Sequence, residues 1–296
     1  LAAVLAAAFL TACDDPRTDP VPVPAPADTP LLAELRFDPD APRRVSAHRG
    51  GPEPGYPENC LATFEHVLTY GDVFIECDVR RTADGGLVFM HDDELDRTTD
   101  GHGRVSTSTM AELAKLRLRD DEGAATSYPI PTVDEVLEWS RGKAWLMLDI
   151  KEGVSPSDVV PAVRRARAED RVVVILYTVG DLKRYLEAAP DLAYSVSTRS
   201  PKDVQAVLAT GADPRRLIAF IGAGKFDKRV PVLLHEHGIR TIFGTFGQLD
   251  QRAETEGAGV YDEVLEAGID VLATDSVPPA VEAARNFGRT PAAAGH

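Results

Sequence analysis

Residues 144–176 read AWLMLDIKEGVSPSDVVPAVRRARAEDRVVVIL. Two short runs rich in branched apolar residues, Ala144–Ile150 and Val172–Leu176, flank a helix-like segment, Pro156–Glu169. A strand, a helix and a second strand in that order form a unit whose strands lie parallel. The same rhythm extends in both directions. Further strands are predicted at Arg44–His48, Val73–Val79, Leu192–Val196, Arg216–Phe220, Arg240–Phe243 and Asp270–Thr274. Helical patterns fall between them at Leu61–Tyr70, Val133–Ser140, Gly180–Ala188, Lys202–Thr210, Phe226–Glu236 and Gly259–Glu266, with a last one at Pro278–Asn286. Thr132 followed by Glu135 predicts a capping box, and Gly211, Gly238 and Gly268 fall where helices should stop. Eight strand–helix units in about 250 residues is the count of a (β/α)8 TIM barrel, an α/β fold. An open doubly wound sheet would carry a glycine-rich phosphate turn after its first strand, and His48-Arg49-Gly50-Gly51 does not match that pattern.

One interval breaks the rhythm. An insertion of about residues 84–128 follows the second strand. Asp84-Gly85-Gly86 is a hairpin signal, with Leu87–Met90 as the returning strand. Long insertions are commonly functional, and this one is dense in motifs.

Ahead of the barrel, expected over residues 43–296, the chain changes character. Residues 1–12, LAAVLAAAFLTA, read as the remnant of a secretory signal. Leu10-Thr11-Ala12-Cys13 resembles the lipobox of bacterial lipoproteins, which implies lipidation of Cys13 and an exported protein anchored to a membrane. Residues 13–42 are proline-rich and are expected to be a flexible tether. In an oxidising compartment a Cys60–Cys77 disulfide becomes an expectation, because both cysteines map near one end of the barrel. The net charge of −15 and isoelectric point near 4.9 exclude a nucleic-acid partner of the usual basic kind.

Chemistry concentrates between Ala47 and Gly103. Glu76 and Asp78 are i and i+2 on a strand, so both side chains point to one face. At the C-terminal end of a barrel strand that face is where barrel enzymes keep their sites. Asp149 and Lys151 repeat the arrangement on the next strand. Three inward carboxylates repel unless a cation sits among them, and an all-oxygen set suits Ca²⁺ or Mg²⁺. Lys151 and the planar fork of Arg49 are candidate phosphate contacts. His48 ends the first strand and His91 follows the hairpin. An ordinary pKa near 6.5 lets one imidazole take a proton while another gives one. The five other histidines have no comparable setting, and no serine elbow or zinc motif is present.

Together, His48-Arg49-Gly50, Pro57-Glu58-Asn59, Glu76-x-Asp78, His91-Asp92, Leu95–Thr99, Asp149-Ile150-Lys151 and Ala273-Thr274-Asp275 resemble the glycerophosphodiester phosphodiesterase family. The resemblance covers roughly Arg43 to Arg285. It implies metal-dependent hydrolysis of glycerophosphodiesters to glycerol 3-phosphate and an alcohol. It further implies that His48 and His91 are the acid–base pair, that Glu76, Asp78 and Asp149 are the metal ligands, and that Arg49 and Lys151 bind the phosphate. Two departures stand out. The family usually has glutamate at position 149. Its seventh strand usually bears a tryptophan motif, where this chain has Ile242-Phe243-Gly244-Thr245-Phe246-Gly247. An apolar lining from Phe243 and Phe246 would suit a lysophospholipid as well as a small head group. The competing functions are a phospholipase C- or D-type barrel acting on (lyso)phospholipids, and a non-catalytic binding lipoprotein.

Overall fold

A computed structural model describes residues 29–288. Nine strands form one sheet: β1 (Arg44–Ala47), β2 (Phe74–Arg81), β3 (Leu87–Phe89), β4 (Trp145–Ile150), β5 (Val172–Leu176), β6 (Ala193–Ser197), β7 (Leu217–Ala223), β8 (Arg240–Gly244) and β9 (Val271–Thr274). All but β3 are parallel. The sheet closes because β1 pairs with both β2 and β9. The closed eight-stranded cylinder with helices outside is a (β/α)8 barrel.

Alternation along each strand sorts the side chains. Phe74 on β2, Met147 on β4, Val173 on β5, Ile218 on β7 and Ile242 on β8 fill the barrel interior. On the same strands Ile75, Cys77, Leu146, Leu148, Val174 and Phe243 face the helix layer. The expected capping box at Thr132 and Glu135 is present. Gly211, Gly238 and Gly268 all adopt left-handed φ, of 78°, 74° and 93°. The insertion is ordered. β3 pairs antiparallel with β2, and Val88, Met90, Leu95, Val105, Leu113, Leu118 and Ile130 build a small core of their own.

Three expectations need correction. The segment expected to be tether through residue 42 is folded from Thr29 onward. Thr29 caps a helix at Pro30–Leu35 by accepting from the Leu32 N–H, and Pro30 starts that helix without losing an intrahelical bond. Leu31, Leu32 and Leu35 enter the barrel interior and close its N-terminal end. Arg240, fully buried, ties the plug down by donating to the carbonyls of Glu34 and Pro42 at 2.8 and 2.7 Å. Second, Cys60 and Cys77 are unbridged and buried. Cys77 faces the helix layer as alternation predicted, but Cys60 packs into the insertion's separate core. Third, a helix at Gln248–Glu256 precedes the one expected at Gly259–Glu266, which is a 3₁₀ turn running into a short helix at Asp262–Glu266. Cys13 and the apolar run before it lie outside the described residues.

The plug yields a stability prediction. Leu35 is fully buried at the barrel's floor, so Leu35→Ala leaves a cavity and should destabilise the fold by about 2–4 kcal/mol. Urea denaturation followed by circular dichroism measures this; an unchanged midpoint would mean that the plug is not docked in solution.

Candidate active site

The sheet's register assembles the site. Asp78 on β2 and Asp149 on β4 are direct partners across the parallel pair, and Glu76 lies two residues earlier on the same face as Asp78. One oxygen from each of the three carboxylates lies within 4.8 Å of the others, and all three residues are buried. On the far side of β1, Ala47 is in register with Thr274 of β9. The next residues, His48 and Asp275, therefore emerge side by side at the mouth, with Nδ1 2.6 Å from Oδ1.

The turn after β1 serves this placement. Arg49 has φ of +51° and Gly50 of +87°. A Cβ at Gly50 would meet the Phe64 ring at 2.3 Å, so only glycine fits there. The turn aims the Arg49 N–H at Glu76, which accepts at 2.7 Å. The Pro57-Glu58-Asn59 motif supplies two braces. Asn59 accepts from the Asp78 N–H at 2.9 Å and donates from Nδ2 to the Asp78 carboxylate at 2.6 Å. Buried Glu58 takes a 3.0 Å bond from Arg49 and two of 2.9 Å from Arg97.

His91 arrives by the hairpin. Arg80 donates to its backbone carbonyl from Nε at 2.9 Å and from Nη2 at 2.6 Å. Its Nδ1 lies 2.7 Å from Asp92, and Arg97 grips the same carboxylate at 2.6 Å. Arg97 first, and then His91, hold Asp92 well below the usual carboxylate range. Both histidines thus have Nδ1 engaged by a carboxylate. An ionised carboxylate only accepts, so Nδ1 carries a proton in each ring and Nε2 is the atom left to take or give one.

Electrostatics inside the cage are tense. Burial, then the charges of Asp78 and Asp149, push Glu76 well above its ordinary value. Burial would also raise Asp78, but Lys151, Asn59 and His91 outweigh it and lower that carboxyl. Lys151 Nζ bonds Asp78 at 2.7 Å and Asp149 at 2.6 Å. Three carboxylates and one ammonium leave two negative charges uncompensated, and oxygen donors match a hard divalent cation in charge and chemistry. The residues therefore fit such an ion.

The expected catalytic, metal and phosphate residues, His48, Arg49, Glu76, Asp78, His91, Asp149 and Lys151, lie at this mouth, but two environments differ from expectation. Lys151 sits between two cage acids rather than free for phosphate. Phe243 faces the helix layer beside Phe226, so of the two phenylalanines only Phe246 meets the site, its ring 4.4 Å from that of His48. Sequence reasoning also missed partners. Tyr177 Oη lies 2.7 Å from both carboxylate oxygens of Asp149. Buried Asp250 accepts from the Asp275 N–H at 2.8 Å and from Tyr261 at 2.9 Å, fixing the residue that orients His48. Tyr177 and Asp275 each directly follow a barrel strand, a position that itself signals function.

Residues 48–240 match the model of the glycerophosphoryl diester phosphodiesterase family. A glycerophosphodiester phosphodiesterase of Caldanaerobacter subterraneus is 34% identical over 155 residues, which is 50% of this chain and 63% of that protein, so the match spans less than two thirds of the relative. A glycerophosphoryl diester phosphodiesterase structure from Parabacteroides distasonis superposes with a TM-score of 0.82 at 31% identity, covering 87% of this chain and 91% of that one. An Oleispira antarctica phosphodiesterase, solved in complex with the product sn-glycerol-3-phosphate, shares the fold at 22% identity and a TM-score of 0.64, over 83% and 97% of the two chains. With the matched residues running from the first site histidine through β7 to the start of β8, the chain belongs to the glycerophosphoryl diester phosphodiesterase family.

Proposed function

We propose that this protein hydrolyses glycerophosphodiesters to glycerol 3-phosphate and an alcohol, with a divalent cation held by Glu76, Asp78 and Asp149. The carrying observation is the meeting of that carboxylate cage with two carboxylate-oriented imidazoles at one barrel mouth. When bound, the cation orients the phosphate oxygens and offsets their charge. Arg49, whose backbone N–H already meets Glu76, offers a planar guanidinium to them. The neighbouring glycerol hydroxyl attacks phosphorus and the bond to the leaving alcohol breaks. One imidazole takes the attacking hydroxyl's proton and the other delivers one to the leaving oxygen. Water then opens the cyclic phosphate with the proton roles reversed.

The interior cavity favours a small substrate moiety over an acyl chain. It is lined by Met147, Ile175, Phe220, Ile242 and Phe246 with Ser195, and encloses about 130 Å³ above the leucine plug. That is below the few hundred Å³ of typical sites for larger ligands. Purified protein given glycerophosphocholine should release glycerol 3-phosphate, and a chelator should abolish the release. Phosphocholine as the product would overturn this reading.

A further inference from the structure

A second cavity opens beside the imidazole of His48, on the side of the insertion. It is an open cleft of about 500 Å³ with Arg49, Glu58, Arg97, Thr98, Asp121 and Asp275 in its wall. Two buried polar atoms on residues of this wall lack a hydrogen-bond partner among the described residues: Arg49 Nε and Thr98 Oγ1, the latter on a residue only 4% exposed. A buried hydroxyl left without a partner carries a cost in stability.

The charges in that wall are unevenly satisfied. Glu58 is consumed by Arg49 and Arg97, Asp92 by Arg97 and His91, and Asp275 by His48. Asp121 and its neighbour Glu122 differ: neither carboxylate has a hydrogen bond or ion pair among the described residues, and of the two Asp121 is the one set against the arginines of the wall. Its nearest charges are Glu58, Arg97, Arg49 and Asp275, which places it over the cleft. The loop that carries it is held in shape. Asp120 accepts from the N–H groups of Gly55 and Ala124, both at 2.8 Å, and Gly123 supplies a left-handed φ of 79°.

A guanidinium and an unpaired carboxylate in one wall complement a zwitterion, with anion and cation a few bonds apart. We infer that this cavity holds the leaving alcohol and that Asp121 selects diesters whose alcohol carries an ammonium group. The inference rests on the phosphodiesterase reading above and deepens it. The phosphate end stays with Arg49 and the cage, and the ammonium end reaches the rim carboxylate. A neutral polyol has no charge to offer Asp121, and an anionic head group would be repelled.

Kinetics on glycerophosphocholine, glycerophosphoethanolamine and glycerophosphoglycerol test this with the purified protein. Asp121→Asn should raise KM for the two cationic diesters roughly fivefold relative to glycerophosphoglycerol, the scale of one partly screened ion pair. Asp121→Lys should widen that gap, and salt well above 0.15 M should narrow it in the parent protein. An equal KM change on all three substrates, or none on the cationic pair, would overturn the assignment while leaving the phosphodiesterase reading intact. Failure of the parent protein to release glycerol 3-phosphate from any of the three would instead remove both.

Discussion

His48→Ala and His91→Ala should each lower kcat for glycerol 3-phosphate release by at least about 10²-fold, the usual contribution of a positioned acid or base. The expectation comes from how each ring is held. His48 is pinned by Asp275 at 2.6 Å and covered by Phe246; His91 is pinned by Asp92 at 2.7 Å. Neither pairing is needed to close the barrel, so the alanine variants should fold. Neither ring ligates in the carboxylate cage, so metal affinity measured by calorimetry should change little. The combination of lost turnover, retained metal and unchanged melting separates a proton-transfer role from a structural one. Asp275→Asn and Asp92→Asn act one step removed: each leaves the imidazole present but less well oriented, and should cost less than removing the ring. A near-normal kcat in either histidine variant would refute the assigned role.

The barrel was legible because its signals are local. Branched runs ending near glycines give strands, and strict alternation sends Glu76, Asp78 and Asp149 inward without any knowledge of the partner strand. What was missed depends on closure. Asp275 finds His48 only because the last strand pairs with the first, and 227 residues separate them. Tyr177 reaches Asp149 across neighbouring strands in the same way. The plug helix is six residues long and follows a proline-rich run, too short for periodicity to show. The helix at Gln248–Glu256 reads QLDQRAETE, almost wholly polar, and its role emerges only when buried Asp250 meets Tyr261 and the Asp275 N–H. Cys60 misled because proximity along the barrel says nothing about direction: it turns into the insertion while Cys77 turns into the helix layer.

Glu76→Gln should weaken divalent-metal binding by at least about 10²-fold, since even residues behind a ligand commonly contribute 10- to 100-fold. Activity should fall with it and recover only partly at high metal concentration. The cage makes a second, opposite prediction for the metal-free protein. Glu76 is buried beside Asp78 and Asp149, and among the described residues the Lys151 ammonium bonds those two aspartates and not Glu76. Without a cation Glu76 is the least compensated acid of the three. Glutamine keeps an acceptor oxygen for the Arg49 N–H, which Glu76 receives at 2.7 Å, while removing the repulsion. In chelator, Glu76→Gln should therefore melt about 2–4 °C above the parent protein, the shift that about 1 kcal/mol produces at this size. With saturating Ca²⁺ or Mg²⁺ the order should reverse, because only the parent gains binding energy in the folded state. Differential scanning calorimetry under both conditions reads the crossing directly. Identical ordering with and without metal would mean that these carboxylates hold no cation, and the proposed chemistry would lose its centre.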